Sequence, residues 1–238
     1  MAPVSNDLNF YALVSGPAPS PFRNRRGRRS LLDVLLRRRR DSGLPLDMVP
    51  LSVVDLGVLR VPSGRVEACD PFVTLGDGPV FEVEPGDYPV RVTVADVEAY
   101  LSLVLADGEP ASVEAAQPVR GRGIVCVDAG AVAFVDHDAV ATAMPPQDDW
   151  YDVFDSGEPD SWFSLMDSPD HYRRGAANIV MPRAGAGENV VLSYSGWGDG
   201  VYPVMLTRDA DGAPLGLHID LGVVGEFASE DEEDDEDE

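Results

Sequence analysis

The residues best placed to do chemistry are aspartates at the ends of predicted strands. Asp70, Asp128, Asp136 and Asp220 each end or border a β-rich run, and Asp199 lies within Ser195-Gly196-Trp197-Gly198-Asp199-Gly200-Val201-Tyr202-Pro203. If those strands are neighbours, Asp70, Asp128 and Asp199 converge. Clustered carboxylates either bind a divalent cation or split their pKa values for acid–base work, with Tyr202 as an acid or a ligand-positioning group. Three glycines in five residues also leave backbone N–H groups bare around Asp199. Such a loop can hold a ligand or cation, with Trp197, Gly198, Gly200 and Arg65 as its contacts. The same residues equally suit a β-bulge or wide hairpin turn that seats Tyr202 in the core. Strand-end Asp likewise forms turns and helix caps, and Arg65 and Arg91 are then charge partners.

Other routes to chemistry are closed. There is no P-loop and no dinucleotide glycine pattern. His137, His171 and His218 lack metal-protease spacing, and Ser193 stands where a nucleophile elbow ending at Ser195-Gly196 needs glycine. Thr207, Asp209, Asp211 and Gly212 can be laid on a calcium loop, but its twelfth position is His218 rather than a bidentate Glu. A hairpin turn explains them better. The cysteines Cys69 and Cys126 make neither a zinc site nor a disulfide framework, and their apolar surroundings predict buried thiols. No cofactor is expected.

The elements that must hold these residues read mostly as strands. Val53–Val61, Arg65–Asp70, Val80–Val83 and Tyr88–Val94 are β-rich runs parted by Pro62-Ser63-Gly64, Gly76-Asp77-Gly78 and Pro85-Gly86-Asp87. Period two continues through Val97–Leu105. Ala111–Val119 is expected to pair back on it as a hairpin. Ile124–Val127, Ala131–Val135, Val190–Tyr194, Val201–Thr207 and Leu215–Val224 complete the strands, with Asp211-Gly212 as a hairpin signal. Asp136 predicts an N-cap for a helix over His137–Met144, stopped by Pro145-Pro146. Residues 147–175 are loose, with one or two short helices. The expected fold class is α+β and β-rich, a single domain of mostly antiparallel sheet over residues 50–227.

Charge falls into three blocks within a chain of 238 residues and net charge −24. Residues 1–40 hold nine Arg against Asp7 and Asp33, residues 41–229 nine Arg against 31 acids, and residues 230–238 are all acidic. Every basic residue is Arg. Residues 1–49 therefore read as an Arg-rich arm, opening with Gly16-Pro17-Ala18-Pro19-Ser20-Pro21 as loop or extended chain and carrying a short amphipathic helix capped by Ser30. Residues 228–238 read as a disordered acidic tail. Nucleic acid or an anionic membrane could be met only through the arm, unless the chain's own acid occupies it. No run approaches the ~20 apolar residues of a membrane span, and no signal peptide is recognisable. The cytoplasm is the expected location.

Taken in order, several segments carry a resemblance. They are Gly57-Val58-Leu59-Arg60-Val61-Pro62-Ser63-Gly64-Arg65, Cys69-Asp70-Pro71, and Pro85-Gly86-Asp87-Tyr88-Pro89-Val90. Val127-Asp128-Ala129-Gly130, Gly198-Asp199-Gly200-Val201-Tyr202-Pro203, Asp211-Gly212 and Asp220 follow. Over residues 53–224 the chain resembles the bacterial family called domain of unknown function 4241. The resemblance implies one shared core or site and transfers no activity. Without a catalytic signature, the strongly acidic body predicts a non-enzymatic interaction protein, an immunity- or antitoxin-like binder of a basic partner. The alternative is an enzyme or metal-binding protein built on the Asp cluster.

Overall fold

The computed structural model describes residues 8–19 and 48–225. Period-two patterning decides its layers. In the strand Ala131–Asp136 (β9) every residue is buried, so both faces of its sheet are covered. Val132 and Phe134 point into one apolar cluster, while Ala131, Ala133 and Val135 point into another. The neighbouring strand Asn189–Tyr194 (β11) divides likewise, Val191 to the first cluster and Val190 with Leu192 to the second. This five-stranded sheet is therefore a middle layer. Its order is Ala176–Val180 (β10), β11, β9, Arg65–Cys69 (β3) and Val80–Glu82 (β4).

An eight-stranded sheet packs on one side of it. Its path runs Gly16–Pro19 (β1), Met48–Val61 (β2), Gly86–Val94 (β5), Glu98–Val104 (β6), Pro214–Asp220 (β13), Gly200–Arg208 (β12) and Ser112–Ala115 (β7), with Ile124–Val127 (β8) also on β12. All strand pairings among the described residues are antiparallel. On the other side lie His137–Ala143 (α1), Trp150–Phe154 (α2) and Trp162–Asp167 (α3), whose Val140, Phe154, Trp162 and Met166 fill the second cluster. None of the helices described is long and apolar enough to cross a membrane.

A fourth layer comes from residues 8–19, which the sequence assigns to the arm. Phe10 sets its ring edge-on to Tyr100 at 5.0 Å and to His218 at 5.3 Å, and Leu13 N–H donates to Thr93 Oγ1 at 2.9 Å. The strap thus covers the outer face of the large sheet, whose row of Thr93, Tyr100, Ser102 and His218 would otherwise face water. Its backbone ends as β1 on β2, and Gly225 N–H donates to Pro19 O at 3.1 Å, so this corner also receives the last described residue. The predicted helix after Ser30 and the tail 228–238 lie outside the described residues.

Three expectations are corrected. Ala111–Val119 does not fold back on Val97–Leu105; β7 pairs with β12, because β6 is already taken on both edges by β5 and β13. The last strand stops at Asp220 rather than Val224, where the Asp220 carboxylate accepts from Gly222 N–H at 2.9 Å and turns the chain. Cys126 is exposed, since β8 buries Val125 and Val127 and turns the residue between them outward.

The two sheets are tied through a bulge in β2. Gly57, at φ +80°, takes a left-handed conformation, and a Cβ there would fall 2.7 Å from Tyr172 Oη. The bulge aims carbonyls at the smaller sheet: Asn178 Nδ2 donates to Leu56 O at 2.8 Å and Asn189 Nδ2 to Val58 O at 2.8 Å. Arg60 N–H donates to Asn189 Oδ1 at 3.0 Å. Replacing buried Asn189 with Ala strands these partners and should cost about 2 kcal/mol in urea unfolding. A loss below ~0.5 kcal/mol would show that water replaces the side chain.

Candidate functional site

The acidic turns do meet. β3 delivers Asp70 fully buried at its end. Its Oδ1 accepts from Phe72 N–H at 3.0 Å, and its Oδ2 from Asp128 N–H at 2.9 Å and Ala129 N–H at 2.8 Å. From the far side Asp199 Oδ1 accepts from Gly130 N–H at 3.1 Å, and Ser195 N–H donates to Gly130 O at 3.0 Å. The turn at 128–130 is therefore gripped by two segments from distant parts of the chain. Both oxygens of Asp70 are committed to backbone donors. No three His, Cys, Asp or Glu among the described residues are grouped so as to hold a metal ion.

The glycine-rich loop is similarly occupied. Gly198 O accepts from Ser195 Oγ at 2.6 Å and from Tyr202 Oη at 2.8 Å. Tyr202 is buried, and its phenol is raised above the ordinary value chiefly by loss of solvent, against a lowering contact from Ser195 and with the Asp199 charge adding to the rise. It stays protonated at neutral pH. Gly196 is left-handed and lies so close to Glu98 that a Cβ would strike that residue's carbonyl. Trp197 is 47% exposed and donates through Nε1 to Gly222 O at 3.2 Å. Arg65 stands at the opposite end of β3 from Asp70, ~17 Å away at a strand's rise. It pairs with Asp138 at 2.6 Å instead of the loop, as Arg91 pairs with Asp55 at 3.8 Å. Asp136 caps α1, accepting from Ala139 N–H at 3.0 Å and from Ser63 N–H at 2.8 Å.

One polar network escapes sequence reading because its members lie far apart. Glu67, buried on β3, accepts from Gly76 N–H at 2.7 Å and Gly78 N–H at 3.2 Å through Oε1, and its Oε2 lies 2.6 Å from His137 Nδ1. His137 Nε2 is 3.1 Å from Arg120 Nη1, and Arg120 Nη2 meets Asp77 at 3.0 Å. A guanidinium only donates, so Nε2 accepts and Nδ1 carries the proton toward Glu67. No lone pair on the ring remains for a substrate. Adjacent Cys69 is raised well above an ordinary thiol, first by burial and then by the charges of Glu67 and Asp70, so it is no nucleophile. The only hint in the sequence is a Glu amid the apolar run of β3.

What stays open is a cavity of about 380 Å³ between the edges of the two sheets. Phe81, Val83, Leu105, Leu206 and Leu217 form its apolar lining, and Glu82, Glu84 and Glu114 stand with Arg208 among its polar groups. Arg208 Nε reaches Glu114 at 2.8 Å and its Nη1 donates to Gly212 O at 2.9 Å. Three carboxylates against one guanidinium make the rim acidic. Ligand sites span roughly 300–1,000 Å³, so the volume suits a small apolar body.

Fold and site together define a layered antiparallel β-sandwich with a helical cover and an acid-edged cleft. The chain belongs to the family described as Protein of unknown function (DUF4241), whose model matches residues 59–219. No curated protein and no solved structure matches it.

Proposed function

We propose that this protein is a non-enzymatic interaction module that receives a basic partner through the cleft between its sheets. The observation that carries this is the pairing of an apolar lining with an acidic rim at Glu82, Glu84 and Glu114. An apolar side chain flanked by Arg or Lys satisfies both halves: the lining supplies affinity by burial, and the rim steers and selects by charge. The rival, an enzyme or metal site on Asp70, Asp128 and Asp199, needs carboxylate oxygens free to meet a ligand, whereas those of Asp70 hold backbone N–H groups.

The test titrates the full chain with a fluorescent peptide of alternating Leu and Arg and with its Leu–Glu counterpart. The basic peptide should bind, weaken about tenfold between ~20 and ~300 mM salt as the charges are screened, and weaken comparably on Glu82→Gln/Glu84→Gln/Glu114→Gln. Equal binding of both peptides, or indifference to the rim substitutions, would remove the proposal.

A further inference from the structure

We infer that the occupant of this cleft is the Arg-flanked leucine segment of a second copy of this chain. The inference rests on the proposed use of the cleft. Between Pro19 and Met48 the sequence carries Arg28-Arg29-Ser30-Leu31-Leu32-Asp33-Val34-Leu35-Leu36-Arg37-Arg38-Arg39-Arg40. Its apolar block matches the Phe81–Val83–Leu206–Leu217 lining, and the arginines on either side match the Glu82, Glu84 and Glu114 rim. Within this chain, it has the chemistry that the cleft calls for.

Geometry decides between the same chain and another. Pro19 lies opposite Met48 in the β1–β2 pairing, so both ends of the 20–47 segment start from one corner. The cleft is at the other end of β2, where Leu59 is paired with the lining residue Tyr88. Eleven residue steps along β2 separate Met48 from Leu59, ~36 Å at a strand's rise. The leucine block sits midway along the segment, leaving twelve steps from Pro19 to Leu31 and twelve from Leu36 to Met48. Each limb covers at most ~40 Å when fully drawn out. Crossing from β5 toward β13 and β12 uses the remainder. Seating within one chain would demand that both limbs run straight, whereas a second copy carries no such demand. Two chains can exchange the segment reciprocally, an arrangement compatible with two-fold symmetry.

A competitor for the arginines is built into the sequence: Gly225 bonds Pro19 at this corner, and residues 230–238, which follow it in the chain, are all acidic. Leucine substitutions separate the two cases. Sedimentation velocity of the full chain from ~1 to ~100 µM should show a monomer–dimer equilibrium. Leu32→Asp/Leu35→Asp and Glu82→Gln/Glu84→Gln/Glu114→Gln should each raise its midpoint about tenfold or more, with the far-ultraviolet spectrum unchanged. A chain monomeric throughout overturns the inference. So does a dimer that yields to salt but not to the leucine substitutions, since that is Arg pairing with the acidic residues. If the chain is monomeric yet the Leu–Arg peptide binds, the self-seating falls and the basic-partner reading stands; if no peptide binds, both fall.

Discussion

Asp70→Ala should lower the unfolding free energy by about 3–5 kcal/mol, the largest loss expected from any single polar substitution in this fold. The side chain is fully buried and its carboxylate accepts three N–H groups, from Phe72, Asp128 and Ala129. Bonds to an ionised acceptor contribute roughly 1.5–3 kcal/mol each, and donors stranded out of water forfeit their solvation as well. Asp70→Asn keeps one acceptor oxygen but turns its NH2 toward N–H donors, so most of the loss should remain. Asp199→Ala removes a single bond to Gly130 and should cost under ~1 kcal/mol. Urea unfolding at neutral pH measures all three. An Asp70→Ala chain within ~1 kcal/mol of the wild type would mean that the turn at 128–130 keeps its shape without the clip.

Asp220→Asn should act in the opposite direction. Burial pushes the Asp220 carboxyl up to about 6 from the ordinary 3.8, outweighing the hydrogen bond from Gly222 that favours its charge. Between those values the folded chain binds the extra proton, so charged Asp220 destabilises the fold above pH 6. Asn keeps the acceptor for Gly222 and sheds the charge, a gain of about 2–3 kcal/mol at neutral pH. Two residues earlier, His218 lies between Ser102 Oγ and Thr207 Oγ1, each at 2.9 Å, and burial lowers its pKa from 6.5 to about 3. There the unfolded chain binds the extra proton between pH 6.5 and 3, so stability falls as pH falls. In the wild type the two slopes oppose each other from about 6 down to 3.8 and nearly cancel. Asp220→Asn exposes the histidine slope, up to ~1.4 kcal/mol per pH unit. Unfolding midpoints at pH 7, 5 and 4 decide the matter: no gain at pH 7, or an acid loss no steeper than wild type, refutes the pairing.

These residues also mark how far local chemistry reaches. The Asp136 cap of α1 and the Asp211-Gly212 hairpin were legible because each is settled within four residues. Period two placed β5 and β6, and β-rich runs placed β9 and β12. Neither placed the partner of β7, since Ser112–Ala115 carries only half-buried Val113 to mark a register, and the choice belonged to crowding around β6. β10 was missed because Ala176-Ala177-Asn178-Ile179-Val180 is small and polar for a strand, its Asn178 being kept to meet the β2 bulge. The exposure of Cys126 follows from parity, since it lies between two inward valines. The Asp70–Asp128–Asp199 rim was visible as a recurrence of turn-forming acids, yet nothing local says that backbone amides rather than a ligand will take the oxygens. The cleft was out of reach: Glu82 and Arg208 line one cavity only once both sheets exist.

The strap over the large sheet bears on how this chain should be cut for expression. Trimming a recombinant fragment to residues 59–219 would discard Phe10, Tyr11, β1, most of β2 and the buried Leu221, Val223 and Val224. The Tyr100–His218 surface would then be wet on a sheet with a raw edge at β5, which invites edge-to-edge aggregation. Insoluble material from such a fragment would say nothing about the native chain; borders at Leu8 and Gly225 keep that wall of the sandwich intact.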